Sequence, residues 1–249
     1  MKTAYITGAT SGIGKASVLA FAAAGWRVVA MGRRAERLAE LERDITPDQL
    51  HTCALDIRDD AAIETALALV PEPFQRPYCL INSAGLSLGR GPVQEGEIEQ
   101  WRTMIETNVF GLLSMTRRLL PLLIESKGII INISSAAASY SYPNSNVYGA
   151  SKAFVTRLGQ GLRSDVHGTG VRVTTVEPGM VETEFMLVRS GGDVDEHDRA
   201  YRGNGPLAAT DIAETLLWIA ERPAHVNVNS IEIFPTSQSM AGFQIAKDE

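Results

Sequence analysis

A tyrosine and a lysine four residues apart, Tyr148 and Lys152, form the most reactive pair that the sequence offers. On a helix that runs to about Asp165, side chains at this spacing project from the same face. A free tyrosine has a pKa of about 10, and a neighbouring ammonium group favours the phenolate and so lowers that pKa. The pair therefore predicts that Tyr148 donates a proton to a carbonyl under reduction and accepts one in the reverse direction.

Two serines, Ser134 and Ser135, end an apolar run and so lie at the carboxyl end of a predicted strand. Ligands bind at that edge of open α/β sheets. Ser135 precedes Tyr148 by thirteen residues, and its hydroxyl suits the task of polarising a substrate oxygen. A serine pair at a strand end is also a common turn former, so this role depends on the remaining residues of the site.

A glycine-rich segment, Thr7–Gly14, follows the first predicted strand and opens the first predicted helix. Glycines there let the backbone approach a pyrophosphate, and the helix N-terminus supplies free N–H groups and a favourable dipole. The spacing is Gly-x-x-x-Gly-x-Gly rather than the standard Gly-x-Gly-x-x-Gly, and a tight strand-to-helix turn is the alternative interpretation. Its position between strand and helix favours dinucleotide binding. The predicted cofactor contacts are Thr7, Gly8, Thr10, Ser11, Gly12, Ile13 and Gly14.

The end of the second predicted strand indicates which dinucleotide is bound. An acidic residue at that point holds a free ribose 2′-hydroxyl, whereas arginine suits a 2′-phosphate. The sequence reads Met31-Gly32-Arg33-Arg34, with two guanidinium groups and no acid. The alternative is a solvated basic pair, but cations are unfavourable at the start of a helix. Arg33 and Arg34 therefore predict NADP rather than NAD.

The composition is that of a folded chain with one large core. It has 249 residues, 45% hydrophobic and 21% charged, with a formal net charge of −6. This mild acidity argues against nucleic acid or an anionic membrane surface as a partner. Two cysteines and four scattered histidines predict neither disulfides nor a metal site. Without a leader or membrane span, we expect a soluble cytoplasmic protein.

Apolar runs rich in β-branched residues alternate with segments of helical spacing, which is typical of an α/β protein. Because most of the runs are continuously apolar, the sheet is predicted to be parallel, with about seven strands and helices on both faces. The predicted strands are Thr3–Thr7, Arg27–Met31, Thr52–Leu55, Tyr78–Asn82, Gly128–Ser134, Val171–Val176 and Ser230–Phe234. The predicted helices are Ile13–Ala24, Ala35–Asp44, Asp59–Val70 and Asp211–Glu221, besides the helix that carries Tyr148.

No linker or repeat interrupts this alternation, so residues 1–249 are predicted to form a single domain. The exception is the segment 185–206, which is rich in glycine and charge. It looks too irregular for a core element and is long enough to be a lid over an active site.

Several spaced motifs together resemble the short-chain dehydrogenase/reductase family over essentially the whole chain. They are Thr7–Gly14, Asn82-Ser83-Ala84-Gly85, Asn108, Ser135, Tyr148-x-x-x-Lys152 and Pro178-Gly179. The resemblance implies a Rossmann-like, doubly wound single domain. One departure is Ser83, where the family usually has a second asparagine.

The resemblance also implies roles for individual residues. Ser135, Tyr148, Lys152 and Asn108 match the catalytic tetrad of the family, in which Asn108 would hold a water next to Lys152. Lys152 would also bind the nicotinamide ribose. The remaining implied cofactor contacts are Asp56 and Ile57 near the adenine, Asn82, Ala84 and Gly85 near the ribose, and Pro178, Gly179, Val181 and Thr183 around the nicotinamide.

A closer likeness links Gly32–Leu38, Asn146–Val155, Val176–Gly179 and Pro223–Asn229 to the NADP-dependent 3-hydroxy acid dehydrogenases of bacteria. It implies a homotetramer and a small substrate with an anionic head. Such a head needs a cation in the lid, where Arg189, Arg199 and Arg202 are available. We select Arg189, which is nearest the nicotinamide-flanking segment, although a solvated lid charge is the alternative. Tyr140 and Tyr142 are equally suited to line the substrate pocket or to pack.

These features predict an NADP(H)-dependent oxidoreductase. It would interconvert a short 3-hydroxy acid of the serine, allo-threonine or 3-hydroxypropionate type with the oxo acid or semialdehyde. Ser135, Tyr148 and Arg189 are its predicted substrate contacts. The nearest alternative is reduction of sulfoacetaldehyde to isethionate, since similar proteins include sulfoacetaldehyde reductases. A more distant alternative is a non-catalytic protein that senses NADP, against which the intact Ser, Tyr, Lys and Asn set argues.

Overall fold

A parallel sheet forms the centre of the structure, a computed structural model that describes residues 1–89 and 91–239. In that part of the chain the sheet has seven strands in the order β3-β2-β1-β4-β5-β6-β9, and β7 and β8 form a separate parallel pair. The strands are β1 Thr3–Thr7, β2 Arg27–Gly32, β3 Leu50–Ala54, β4 Pro77–Asn82, β5 Ile129–Ile133, β6 Arg172–Pro178, β7 Val181–Glu182, β8 Leu207–Ala208 and β9 Ser230–Ile233.

Helices cover both faces of the sheet. They are α1 Gly12–Ala23, α2 Ala35–Asp44, α3 Asp60–Ala68, α4 Ile98–Ile105, α5 Leu112–Ser126, α6 Asn146–Asp165, α7 Phe185–Arg189, α8 Val194–Tyr201 and α9 Ala209–Ala220. Successive residues of β2 pack into different cores: Val28 joins the side chains of α1, α2 and α9, while Val29 joins those of α3, α5 and α6. A strand buried on both faces needs apolar residues at every position, which explains the continuous runs.

The predicted sheet is confirmed, since every predicted strand is present and all pairings are parallel. The ends differ by a few residues. Strand β3 begins at Leu50, two residues before the predicted Thr52, because Leu50 pairs with Val28. Strand β6 extends to Pro178 rather than Val176, since its last residues pair with β9. This extension brings Pro178 to the carboxyl edge of the sheet.

The segment 185–206 is more regular than its composition predicts. It contains two short helices, α7 and α8, where we expected irregular structure. Asp193 caps α8, because its carboxylate accepts a hydrogen bond from the N–H of Glu196 at 2.9 Å. The glycines that suggested a loop, Gly191 and Gly192, lie between the helices with φ of +69° and +99°. The glycine-rich composition therefore belongs to the connections outside α7 and α8 and does not describe the whole segment 185–206.

Candidate active site

Ser135, Tyr148 and Lys152 meet at the carboxyl edge of the sheet. Ser135 follows β5, whereas Tyr148 and Lys152 lie on the first turns of α6. The Ser135 side chain hydrogen-bonds to the Tyr148 phenol. Its oxygen also accepts the N–H of Ala137 at 3.1 Å. Lys152 Nζ donates to the carbonyl of Ile133 at 2.9 Å and lies 5.9 Å from the centre of the Tyr148 ring. The predicted pair thus shares one face, with the serine against the phenol.

Burial decides the protonation of this pair. Tyr148 and Lys152 are only 8% and 6% exposed. Burial raises the pKa of Tyr148 well above its usual value, although the hydrogen bond from Ser135 acts in the opposite direction. Burial also lowers the pKa of Lys152 to about 8. The prediction that the pKa of Tyr148 is lowered is therefore wrong, because loss of solvation outweighs a cation that points to a backbone carbonyl.

Asn108 lies beside Lys152 but is tied to the backbone. It belongs to a π-helical turn, Glu106–Gly111, between α4 and α5. Its Oδ1 accepts the N–H of Leu86 at 2.9 Å, and its Nδ2 donates to the carbonyl of Leu86 and to Ser151 Oγ. A Cβ atom on Gly85 would lie 3.0 Å from Lys152 Nζ and 3.3 Å from Asn108 Oδ1. The glycine at position 85 thus leaves room for both side chains.

The glycine-rich segment forms the floor of a cavity of about 270 Å³. Gly8 and Gly12 adopt φ of +69° and +50°, a region that favours glycine. A Cβ atom on Gly14 would lie 2.2 Å from the carbonyl oxygen of Gly8, so only glycine fits there. We call this cavity the cofactor cleft. Predicted cofactor residues that line it are Gly8, Thr10, Ser11, Gly12, Ile13, Gly14, Arg33, Arg34, Asp56, Ile57, Ala84, Gly85 and Thr183.

The two predicted phosphate-binding arginines differ in their contacts. Arg33 is exposed at the end of β2 and acts electrostatically on Asp56. A hydrogen bond from Arg58 is the main reason why the pKa of Asp56 is lowered. Arg34 instead donates to Thr10, through Nε to the hydroxyl at 3.2 Å and through Nη2 to the carbonyl at 3.3 Å. One arginine therefore faces solvent while the other is fastened to the glycine-rich segment.

Three predicted residues stand behind the cavities and do not line them. Thr7 is buried, and its hydroxyl oxygen accepts the N–H groups of Ser83 and Ala84, each at 3.1 Å. Asn82 is also buried and donates to Thr116 and Asn132. Asn108, the third, is fixed to Leu86. The predictions of direct cofactor contact from Thr7 and Asn82 find no support in this geometry, in which the two residues join β1 to β4 and β4 to β5.

A second cavity, of about 260 Å³, adjoins the cleft at Gly85, Thr183 and Phe185. We call it the substrate pocket. Predicted residues that line it are Ile13, Gly85, Ser135, Tyr148, Lys152, Pro178, Gly179, Val181, Thr183 and Arg189. Arg202, another arginine of the segment 185–206, has 81% of its side chain exposed and does not line the pocket.

Arg189 is a buried cation of the substrate pocket, besides Lys152. It is only 6% exposed although it carries a charge. Its Nη1 donates to the phenol oxygen of Tyr142 at 3.2 Å and its Nη2 to the carbonyl of Asn144 at 2.8 Å. Among the described residues its buried Nε has no hydrogen-bond partner. A buried guanidinium with an unused donor is costly unless an anion meets it.

The family model described as short chain dehydrogenase matches residues 2–190. The chain belongs to the short-chain dehydrogenase family. The resemblance stated above is thereby confirmed, together with the enzyme class that it implied.

Full-length relatives support the same assignment. Serine 3-dehydrogenase of Agrobacterium fabrum is 50% identical over 99% of this chain and 98% of that protein. Sulfoacetaldehyde reductase 2 of Chromohalobacter salexigens is 48% identical, with 98% of each chain covered. The NADP-dependent 3-hydroxy acid dehydrogenase YdfG of Escherichia coli K12 is 46% identical over 96% of this chain and 97% of that protein.

One solved structure of this family is closely similar. It is the closed form of serine dehydrogenase complexed with NADP⁺, which has a TM-score of 0.95 and 44% identity. The alignment covers 99% of this chain and all of that chain. In residues 1–89 and 91–239 of the short-chain dehydrogenase described here, no cluster of three potential metal ligands occurs, and no helix has the length and apolar character needed to cross a membrane.

Sequence reasoning missed several residues that line the two cavities of this short-chain dehydrogenase. In the cofactor cleft they include Leu86, Thr107, Glu184 and Val188, and in the substrate pocket Met186, Tyr201 and Gln238. Tyr142, for which pocket and packing roles were equally open, lines the pocket. Most of these residues come from elements that follow β4 or β6, so no local motif marks them. Met186 and Tyr201 lie on α7 and α8, so helical spacing of apolar residues within 185–206 is the signal that could have located them.

Proposed function

We propose that this short-chain dehydrogenase transfers hydride between NADP(H) and a short 3-hydroxy acid or the matching oxo acid or semialdehyde. The observation that carries this proposal is the buried Arg189, which lines the same small pocket as Ser135, Tyr148 and Lys152. A cation next to an acid–base group suits a substrate with an anion at one end and a hydroxyl or carbonyl at the other.

The residues of the cofactor cleft fit NADP. A Cβ atom at Gly8, Gly12 or Gly14 would lie within 3.1 Å of a neighbouring protein atom, so glycine at these positions permits the close packing of the loop that lines the cleft. Arg33 and Arg34 would hold the 2′-phosphate. The relative YdfG is named as NADP-dependent, which supports this choice. When bound, the cofactor would supply or accept the hydride.

The chain's own groups would handle the proton. The raised pKa of Tyr148 keeps the phenol protonated at neutral pH, which is the form that donates to a carbonyl oxygen. The Ser135 hydroxyl, already bonded to that phenol, would hold the same substrate oxygen. Lys152, whose pKa is about 8, stays mostly charged at pH 7. It would bind the nicotinamide ribose and favour proton release by Tyr148 in the oxidative direction.

The size of the substrate pocket favours a short substrate. Its volume of about 260 Å³ must accommodate the nicotinamide ring as well as the substrate. The anion of the substrate would bind the guanidinium of Arg189, whose Nη1 also donates to the phenol oxygen of Tyr142. Residues 185–206 would act as the lid, since they include α7 and therefore Arg189. The lid and the rest of the chain would belong to a single domain.

Reduction of sulfoacetaldehyde is the second candidate, because a sulfonate is also a small anion that a guanidinium binds. A relative with that activity in its name is 48% identical. The test is the rate of NADPH oxidation with malonic semialdehyde and with sulfoacetaldehyde, supported by an oxidative screen of serine, allo-threonine, 3-hydroxypropionate, 3-hydroxyisobutyrate and isethionate at alkaline pH. We expect a carboxylate substrate to give the highest kcat/KM. Poor rates on both aldehydes would contradict both candidates.

A homotetramer and a cytoplasmic location stay predictions. Light scattering after size-exclusion chromatography would test the tetramer. A non-catalytic NADP sensor is a third possibility in principle. The meeting of Ser135, Tyr148 and Lys152 in one pocket argues against it, because a protein that only binds the cofactor needs no buried phenol.

A further inference from the structure

Glu184 lies where the cofactor cleft meets the substrate pocket, next to Thr183, which lines both. Two arginines at the start of α2 bind its carboxylate from the same side. Arg34 Nη1 donates to Oε2 at 2.8 Å, and Arg37 Nη2 donates to Oε1 at 3.4 Å. The hydrogen bond from Arg34 is the main reason why the pKa of Glu184 is lowered. The carboxylate is therefore charged at neutral pH and held by both oxygens.

The guanidinium of Arg34 connects two parts of the site. Its Nε and Nη2 donate to Thr10 in the glycine-rich segment, while its Nη1 donates to Glu184. A guanidinium carries five N–H donors, so two remain for a phosphate. A bound 2′-phosphate would restrict the motion of Arg34. Pairing with Glu184 would then cost less entropy, which is a route to positive cooperativity.

The other end of the connection is Arg189. Helix α7 begins at Phe185, directly after Glu184, and ends at Arg189. Five helical residues rise by about 7.5 Å, so Glu184, the N-cap residue, and Arg189, the last residue, lie at opposite ends of one short helix. Arg189 lies in the substrate pocket, held by Tyr142. An ion pair at the start of α7 thus helps fix the position of the guanidinium at its end.

We propose that Glu184 is a positioning residue that couples recognition of the cofactor's 2′-phosphate to binding of the anionic substrate. The inference rests on the proposed function, in which Arg34 meets that phosphate and Arg189 meets the substrate anion. The alternative is an ordinary surface ion pair, since the side chains of Arg34 and Glu184 are 38% and 35% exposed. Exposed pairs contribute little energy, so the coupling is expected to be about three- to tenfold in affinity.

Calorimetry with malonate tests the coupling without turnover, because malonate has a carboxylate at each end and no hydroxyl to oxidise or aldehyde to reduce. Its Kd is measured with the enzyme saturated by NADP⁺ and, separately, by NAD⁺. In the wild type we expect malonate to bind about three- to tenfold more tightly to the NADP⁺ complex. In Glu184→Gln the two Kd values should agree within about twofold. Glu184→Asp, which keeps the charge, should restore part of the difference.

The matched control is Glu36→Gln, which removes the same charge from an exposed position of α2 and should keep the wild-type difference. Adding Arg34→Ala to Glu184→Gln should change the ratio of the two Kd values no further. Equal Kd values in the wild type, or a Glu184→Gln variant that keeps the wild-type ratio, would overturn the coupling and leave the proposed function intact. If Glu184→Gln weakened malonate binding equally with both cofactors, so that the ratio of the two Kd values stayed unchanged, the coupling would also be overturned. Such a result would mean that Glu184 has only a structural role. Failure of malonate to bind either wild-type complex would overturn both proposals.

Discussion

The two anion sites proposed here use arginine in opposite environments. Arg33 lies exposed at the end of β2, whereas Arg189 is 6% exposed inside the substrate pocket. An exposed cation acts through a screened charge, and its loss changes binding moderately. A buried cation has lost its hydration and depends on partners, so its contacts decide both affinity and fit. We therefore expect cofactor choice to depend on charge at a solvated edge, and substrate choice to depend on the geometry of a buried guanidinium.

The largest expected effect is a loss of turnover on removal of the Tyr148 hydroxyl, which tests proton transfer separately from the two anion sites. Tyr148→Phe removes the proton donor but keeps the ring that packs against Phe185. We expect kcat to fall by about 10³-fold or more, because general acid–base groups contribute on the order of 10²–10⁴-fold. The Kd values for NADPH and malonate should change by less than about threefold, because the substitution leaves the guanidinium groups of Arg33, Arg34 and Arg189 in place. Stopped-flow turnover and fluorescence titration check this. Near-normal turnover would remove Tyr148 from its role and favour the non-catalytic alternative.

The next effect tests the buried cation. Arg189→Lys keeps the charge but loses the planar guanidinium that donates to Tyr142 and Asn144. We expect kcat/KM for the anionic substrate to fall by about 10- to 100-fold, since hydrogen bonds to charged groups contribute about 1.5–3 kcal/mol. The KM for NADPH should stay within about twofold. Arg202→Lys, in the same lid and largely exposed, is the matched control.

An Arg189→Lys enzyme with wild-type kcat/KM would show that the substrate anion binds elsewhere. Equal losses in Arg189→Lys and Arg202→Lys would show that the lid responds to charge in general. Either result would break the distinction between buried and exposed sites.

A smaller effect is expected at the exposed site. Arg33→Ala combined with Arg34→Ala should raise the KM for NADPH by about tenfold and that for NADH by less than twofold, because only NADPH carries the 2′-phosphate. The NADPH effect should shrink at 0.5 M salt, where exposed charges are screened. Steady-state kinetics with both cofactors at two salt concentrations provide the measurement. Equal effects on NADPH and NADH would contradict the 2′-phosphate assignment.

Sequence patterns located the parts of the site that depend on local geometry. The i, i+4 spacing of Tyr148 and Lys152 and the strand–glycine–helix order of Thr7–Gly14 each fix an arrangement within one turn or one connection, so they were readable without a structure. Continuous apolar runs identified the parallel sheet for a similar reason, since a strand buried on both faces has apolar residues at every position of the sequence.

Contacts between segments that are far apart in the chain have no comparable pattern in the sequence. The pair formed by Arg34 and Glu184 joins residues 150 positions apart, and the partners of Arg189 come from the loop before α6. The direction of the Tyr148 pKa was also wrongly predicted. Spacing gives the proximity of Lys152 but not the depth of burial, and burial is the larger influence. Burial at that depth depends on how α6 packs against lid and sheet together.

The last expected effect is on folding stability and concerns Lys152, a third cation, which extends the comparison to a group that can lose its charge. Burial lowers its pKa from 10.5 to about 8, so between these values the unfolded chain binds the proton and the folded chain does not. Folding stability attributable to Lys152 therefore rises with pH through this window. At 1.36 kcal/mol per pKa unit, wild type should gain about 2.5 kcal/mol relative to Lys152→Met from pH 7 to pH 10. Urea unfolding of both proteins across this range measures the difference, in which the titration of shared groups such as Cys53 and Cys79 cancels. If the free energies of unfolding of the two proteins changed with pH in parallel, Lys152 would have an ordinary pKa. Burial in this pocket would then not explain how its cations differ from the exposed arginines.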